Sequence, residues 1–409
     1  LRDRSGLAKR RLHKNGSAFR NMTFAAILSA SRTSGDSSAG LRATLHFAGQ
    51  TVVEYQARQA ARAGADRIFI LVNVIAPAIS QAVDRLSADG IAVALVRDMV
   101  ALVRDMPRDA DSLLVADGAI IAQSHFDAIA GAEGDALLVT DDSRASAPFE
   151  RIDAGQRWAG LARVSPDLLF GTLDMIGDWD LALTLVRGAV QKGVRRITVP
   201  QDDLLEGRVA LVEGQQQADL VAQSVLSKAS RSGRTRGGIE HYLFGPIARF
   251  VGPTLMRSQV PALQVRIASM MIGAIALVPI ELDWPIIGFC LLLFALLLSE
   301  VSDRLDELAL RSPPSGWVAF ITPFFALLGL AIAGGSITAT YLALMLAILL
   351  VADRWHRTNG ARAWMIFTPG SALLLLLAAL LGGGMAWMLD LVMICAICSA
   401  GAIILMRRG

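Results

Sequence analysis

A change of pattern near residue 260 constrains this chain more than any other feature. Before it, short apolar runs alternate with helical stretches and polar loops. After it, six apolar segments follow with brief polar interruptions, at about 263–280, 285–299, 316–333, 337–352, 364–381 and 385–406. Such a chain folds as two parts. An α/β half buries its own core, whereas near-continuous apolar helices need lipid or one another as cover. The 409 residues suffice for both. The expected organisation is a basic extension at 1–21, an α/β domain at 22–213, a linker with an interfacial helix at 214–260, and an all-α six-helix transmembrane domain at 261–409.

In the first half, MTFAAILSA (22–30) reads as a buried strand, followed by a Ser/Gly-rich loop. Residues 67–72, 91–97, 112–117, 135–140 and 197–200 read as further strands, and 51–64, 77–86, 125–130 and 168–192 as helical. Strands alternating with helices predict a mostly parallel sheet covered on both faces. Ligands of such sheets sit outside the carboxyl ends of the strands, where the loop after Ala30 and the Asp117–Gly118 turn fall. The heptad VALVRDM at 93–99 recurs at 100–106. A single tandem copy reads as a duplication in which one copy becomes loop or strand extension. The start, Leu1 to Arg20, is basic and lacks the apolar core of a signal peptide. Either Met22 is the true first residue, or the segment is a basic arm that touches anionic lipid.

The runs AAILSASRTSG and LRATLHFAGQTVVEYQARQAARAGADRIFIL resemble the opening of sugar-nucleotidyltransferases of the molybdenum-cofactor guanylyltransferase and inositol-phosphate cytidylyltransferase type. Over about 22–200 the resemblance implies a nucleotidyltransferase-like fold. It puts Arg42 at the phosphate-binding position, where the family has Lys, and Asp117 at a metal-binding position. Asp202 is the candidate for the second carboxylate. The loop Ser29-Ala30-Ser31-Arg32 lacks the glycines that let a backbone approach phosphate closely.

The connector ends in the basic stretch RSGRTRGG and leads into 239–260, where apolar positions alternate with Arg249 and Arg257, the pattern of a helix lying on a membrane surface. Arg and Lys then cluster on one side of the apolar segments: Arg304 and Arg311 between the second and third, Arg354, Arg357 and Arg362 between the fourth and fifth, Arg407 and Arg408 at the end. The loops near 281–283, 334–336 and 382–384 carry none. This asymmetry predicts a multi-pass protein of the inner (cytoplasmic) membrane with both termini in the cytoplasm. The cysteines, Cys290, Cys395 and Cys398, lie in apolar runs and read as packing residues.

At the cytoplasmic end of the second segment stands EVSDRLDELALR (300–311). Asp303 and Asp306, three residues apart, share one helix face: either a divalent-metal half-site or a solvated helix end. The spacing Asp303-x2-Asp306-x4-Arg311 resembles the motif of the CDP-alcohol phosphotransferases, Asp-x2-Asp-Gly-x2-Ala-Arg-x8-Gly-x3-Asp-x3-Asp. Here Glu307 and Leu310 replace the Gly and Ala, and the later Gly and two Asp positions become Phe320, Phe324 and Leu328. The resemblance implies Asp303 and Asp306 as ligands of Mg2+ or Mn2+, Arg311 as a phosphate contact, and a homodimer through the membrane domain. It also implies that half the metal shell and the base are missing, which leaves the catalytic residue unassigned. A soluble nucleotidyltransferase-like domain ahead of such a membrane domain is similar to the bifunctional inositol-phosphate cytidylyltransferase/di-inositol-phosphate-phosphate synthase proteins.

The function expected is that of a membrane transferase of phospholipid or phosphodiester biosynthesis with impaired or altered catalysis, its partners a CDP-alcohol or other nucleotide and the lipid bilayer. The alternative is a non-catalytic nucleotide- or lipid-binding scaffold. A net charge of +3 gives no case for nucleic acid. Charges gathered at one membrane edge rather than mid-span argue against an ion channel.

Overall fold

The computed structural model describes residues 24–36, 40–173, 181–232, 262–311, 317–355, 367–382 and 385–406, with single positions between 244 and 251. The expected basic arm and most of the expected interfacial helix lie outside them. The chain forms two compact units, Leu1–Leu226 and Ser227–Gly409.

In the first unit the strands are, in chain order, β1 (Phe24–Ser29), β2 (His46–Phe47), β3 (Gln50–Thr51), β4 (Ala65–Leu71), β5 (Val93–Val96), β6 (Ser112–Val115), β7 (Ala119–Ile121), β8 (Ala136–Asp141), β9 (Glu150–Arg151), β10 (Gln156–Val164), β11 (Arg195–Thr198) and β12 (Val209–Leu211). The main sheet runs β11-β8-β10-β6-β1-β4-β5, with β9 paired to β10. Its strand pairs are parallel except where β9 and β10 take part. Strand alternation divides β1 between two cores: Ala26 and Leu28 enter one and Ala25 and Ile27 the other. Helix α1 (Val52–Arg62) supplies Val53, Ala57 and Ala60 to the first core, and α2 (Pro77–Ala88) adds Ile79, Ala82 and Leu86. The mostly parallel sheet buried on both faces is thus present.

Two features depart from expectation. The second VALVRDM copy is neither loop nor strand: it forms helix α3 (Met99–Asp105), while the first copy is β5. Asp98 makes the difference locally, since its side chain caps the Ala101 amide at 2.7 Å. In β5 alternate residues Val93 and Leu95 face one core and Ala94 and Val96 the other, whereas in α3 Leu102 and, one turn on, Met106 reach a single core. Tertiary context decides which period the same heptad adopts. The second departure is β10, an antiparallel strand in mid-sheet that the pattern did not foretell. Gly160 interrupts it at φ +86°, and its pairing to β8 shifts register between Trp158 and Ala162. That bulge blurs the alternation that marks a strand.

The remaining helices of this unit are α4 (Gln123–Ala130), α5 (Pro166–Leu173), α6 (Leu181–Gln191) and α7 (Gln201–Leu205), and α8 (Gln215–Ser232) crosses the boundary at Leu226.

The second unit is helical: α9 (Ala262–Ile275), α10 (Leu277–Glu281), α11 (Pro285–Leu308), α12 (Val318–Gly334), α13 (Ile337–Trp355), α14 (Pro369–Gly382) and α15 (Met385–Met406). Among the described residues two stretches, Ala262–Glu281 and Pro285–Leu308, are long and apolar enough to cross a membrane. Six spans were expected. Among the described residues the other apolar stretches, Val318–Gly334, Ile337–Val351, Pro369–Gly382 and Trp387–Gly401, are shorter, although two of the helices that hold them run the fuller lengths Ile337–Trp355 and Met385–Met406. A helix of about 17 residues rises about 26 Å, against a hydrocarbon core of about 30 Å. Leu263, Ile267, Met271 and Ile275, four residues apart, form an exposed apolar stripe along α9.

Ile280 is seated between glycines of two neighbouring helices. A side chain at Gly288 would collide with Ile280 Cγ1, and one at Gly329 would meet Leu292 Cδ1 at 2.6 Å and Ile280 Cδ1 at 3.0 Å. Gly288→Ala is therefore expected to destabilise this unit by about 1–3 kcal/mol through overpacking, read as a lower midpoint of thermal unfolding in detergent.

Candidate functional site

The main sheet reverses its direction of growth at β1. From β1 the chain steps to β4 and β5 on one side, then returns to place β6 on the other. The crevice beyond the carboxyl ends of β1 and β6 is a topological switch point, the place where open α/β sheets take ligands. A cleft opens there, lined among others by Ser29, Ser31, Arg32, Asp117, Glu150 and Gly160.

Asp117 is its best-defined group. It is buried, and its Oδ2 accepts the backbone N–H of Arg32 at 2.7 Å. Its Oδ1 is also buried and has no hydrogen-bond partner. Burial pushes the carboxyl up from 3.8 to about 6, against the backbone N–H groups of Arg32 and Ser31 and the charges of Arg42 and Arg32.

Arg42 stands in the 3-10 turn Arg42–Thr44. Its Nη2 donates to Glu213 Oε1 at 2.8 Å and its Nε to Thr33 O at 3.3 Å, while Nη1 is buried without a hydrogen-bond partner. Arg32 reaches Glu150 at 3.4 Å. Arg42 lies beside the Asp117–Gly118 turn: a side chain added at Gly118 would meet Arg42 Cδ at 3.5 Å. Asp202 is elsewhere: it is exposed on α7 and does not line the cleft. Its neighbour Asp203 is taken by His125 Nε2 at 2.6 Å and Arg208 at 2.5 Å.

Two supporting residues, Gln56 and Glu213, escape sequence reasoning. Gln56, buried on α1, donates from Nε2 to Ala116 O at 3.0 Å and Ala119 O at 2.8 Å, pinning both sides of the Asp117–Gly118 turn. Glu213 holds Arg42, and Gly118 lets the turn pass beneath Val212. A lone Gln on an amphipathic helix gives no local signal of this role. Gln56→Leu is expected to loosen the turn and cost about 1–3 kcal/mol by removing two hydrogen bonds to backbone carbonyls, measured by chemical denaturation.

In the second unit Asp303 and Asp306 lie on one face of α11, as their spacing requires. Both accept from the same atom: Arg266 Nη2 lies 2.8 Å from Asp303 Oδ1 and 2.8 Å from Asp306 Oδ2. Arg266 is buried on α9, and its Nε donates to Ser302 Oγ at 3.2 Å. Arg311 follows the helix end, its backbone N–H bonded to Asp306 O at 2.9 Å after Leu310 turns the chain at φ +56°. Arg266 escaped sequence reasoning; the signal that could have found it is an ionisable residue inside an apolar run, which calls for a partner.

The two candidate metal positions differ in chemistry. At Asp117 an orphaned buried carboxylate oxygen fits one protein ligand of Mg2+ or Mn2+, ions that keep much of their shell for water and other oxygen ligands. At Asp303 and Asp306 a guanidinium nitrogen lies between the carboxylates, and the residues as arranged do not fit a divalent ion. No group of three or more His, Cys, Asp or Glu side chains suited to a metal occurs among the described residues.

No family model matches this chain, and no curated protein matches it. Solved structures that match include an inositol-1-phosphate CTP transferase from T. maritima, at 13% identity and a TM-score of 0.37, over 50% of this chain and 97% of that one.

Proposed function

We propose that the first unit binds a cytidine-type nucleotide at the β1/β6 switch point, and that the protein is a membrane transferase of phospholipid or phosphodiester biosynthesis. The observation that carries this reading is the buried, unpartnered Oδ1 of Asp117 beside Arg42 and Arg32, in the crevice where such sheets take ligands. Arg42 and Arg32 would receive phosphate oxygens. Asp117 would hold a divalent cation that spreads the charge of the transferred phosphoryl group. The sequence resemblance to sugar-nucleotidyltransferases names the reaction class: an oxygen of a phosphorylated alcohol bonds to the α-phosphorus, and pyrophosphate leaves.

The membrane part of the reading rests on the two span-length helices, the outward apolar stripe of α9 and the one-sided Arg distribution. It places six helices across the inner membrane with the nucleotide site in the cytoplasm, and a homodimer formed through the helical unit. Arg311 would contact phosphate at the same face.

A second reading, a nucleotide-binding membrane protein without turnover, is favoured by the lack, among the described residues, of a group of three or more His, Cys, Asp or Glu side chains suited to a metal. Incubation of the purified full chain with labelled CTP, Mg2+ and phosphorylated alcohols decides between them. Pyrophosphate release that depends on the alcohol supports the transferase, and nucleotide retention without release supports the second reading. Absence of both removes the nucleotide proposal.

A further inference from the structure

We propose that Arg266 is the permanent counter-ion of the Asp303/Asp306 pair, standing where a divalent cation would otherwise sit, so that the helical unit carries a metal-free ionic clasp and a latent metal site. Three observations meet here. One nitrogen, Arg266 Nη2, is equidistant from the two carboxylates, at 2.8 Å from each. The guanidinium is held from a second direction, because its Nε donates to Ser302 Oγ, which itself donates to Ala262 O at 2.9 Å on Arg266's own helix. The groups are withdrawn from water: Arg266 and Ser302 are buried, and the aspartate side chains are 20% and 14% exposed.

The charge balance follows from these contacts. Two carboxylates facing each other on one helix turn repel, and in a poorly solvated place they demand a cation. Arg266 supplies one charge at the point of convergence, 2.8 Å from each carboxylate. A divalent ion entering the same point would have to displace a buried guanidinium and leave it uncompensated, which opposes entry strongly. A guanidinium, unlike water-bound Mg2+, is also tethered, so the clasp ties α9 to α11 at all cation concentrations. The inference does not depend on nucleotide binding by the first unit.

The test uses the purified full chain in detergent micelles and Mn2+ followed by electron paramagnetic resonance, in an Asp117→Asn background that silences the other candidate ligand. With Arg266 present, the expected result is no bound Mn2+ sensitive to Asp303→Asn/Asp306→Asn. Arg266→Met should raise Mn2+ affinity by about tenfold or more, the scale set by removing one buried competing charge, and Asp303→Asn/Asp306→Asn should abolish that gain. Arg266→Lys, which keeps a cation, should stay free of Mn2+. Mn2+ bound through Asp303 and Asp306 while Arg266 is intact overturns the proposal, and this arm holds whether or not Arg266→Met folds. A folded Arg266→Met chain that gains no Mn2+ overturns it as well.

Discussion

Asp117→Asn should make the metal-free protein more stable at neutral pH while removing its affinity for nucleotide. In the folded chain the Asp117 carboxyl titrates at about 6 rather than 3.8. Between those values the folded state keeps a proton that the unfolded state has released. Stability therefore falls as pH rises through that window, and the full penalty is in place above about pH 6. A displacement from 3.8 to about 6 corresponds to about 3 kcal/mol. Asparagine keeps an oxygen for the Arg32 amide and carries no charge, so the variant should gain up to that amount at pH 7. The gain should vanish below about pH 4. Urea unfolding at several pH values in the presence of a chelator measures this directly. A variant less stable than the parent at pH 7 would show that the carboxylate is satisfied in a way its geometry does not reveal. Loss of binding alongside gain of stability is the signature of a site that holds strain for function.

Gly118→Ala should be the most damaging single substitution near the cleft. Gly118 has φ +76°, a conformation that costs an L-residue about 1–2 kcal/mol. An added Cβ would lie 2.5 Å from Val212 O, a backbone atom that cannot swing aside, and Val212 N already donates to Gly118 O at 2.9 Å. The segment must shift as a whole, and the next residue, Glu213, carries Arg42 with it. The combined cost is about 3–5 kcal/mol, with loss of nucleotide affinity because Asp117 and Arg42 are displaced together. A thermal midpoint within a degree or two of the parent would contradict the packing described for this turn.

Much of the fold is legible in the sequence because it is written in local period. β1, β4, β5 and β6 are short apolar runs bounded by turns, and each lies where its run predicts. The helices of the second unit likewise fall on the six apolar segments. What escapes is written in distant contacts. β10 hides because Gly160 and a register shift break its alternation, and VALVRDM adopts two structures because its neighbours differ while its residues do not. The candidate site divides in the same way. The Asp117–Gly118 turn follows from position at a strand end, while the roles of Arg42 and Asp117 follow from the resemblance to sugar-nucleotidyltransferases. Gln56 acts on residues 60 and 63 positions away, and Arg266 meets Asp303 and Asp306 from 37 and 40 positions away. Spacing along the chain can place two aspartates on one helix face, but it carries no information about which cation faces them.

Nucleotide binding at the Asp117 cleft is read by calorimetric titration of CTP with Mg2+ into the purified full chain, with Asp117→Asn and Arg42→Ala measured beside the parent. Saturable binding by the parent is expected, with a loss of about tenfold or more in each variant, about 1.4 kcal/mol or more. No binding by the parent, or equal binding by all three, would contradict nucleotide binding at that cleft.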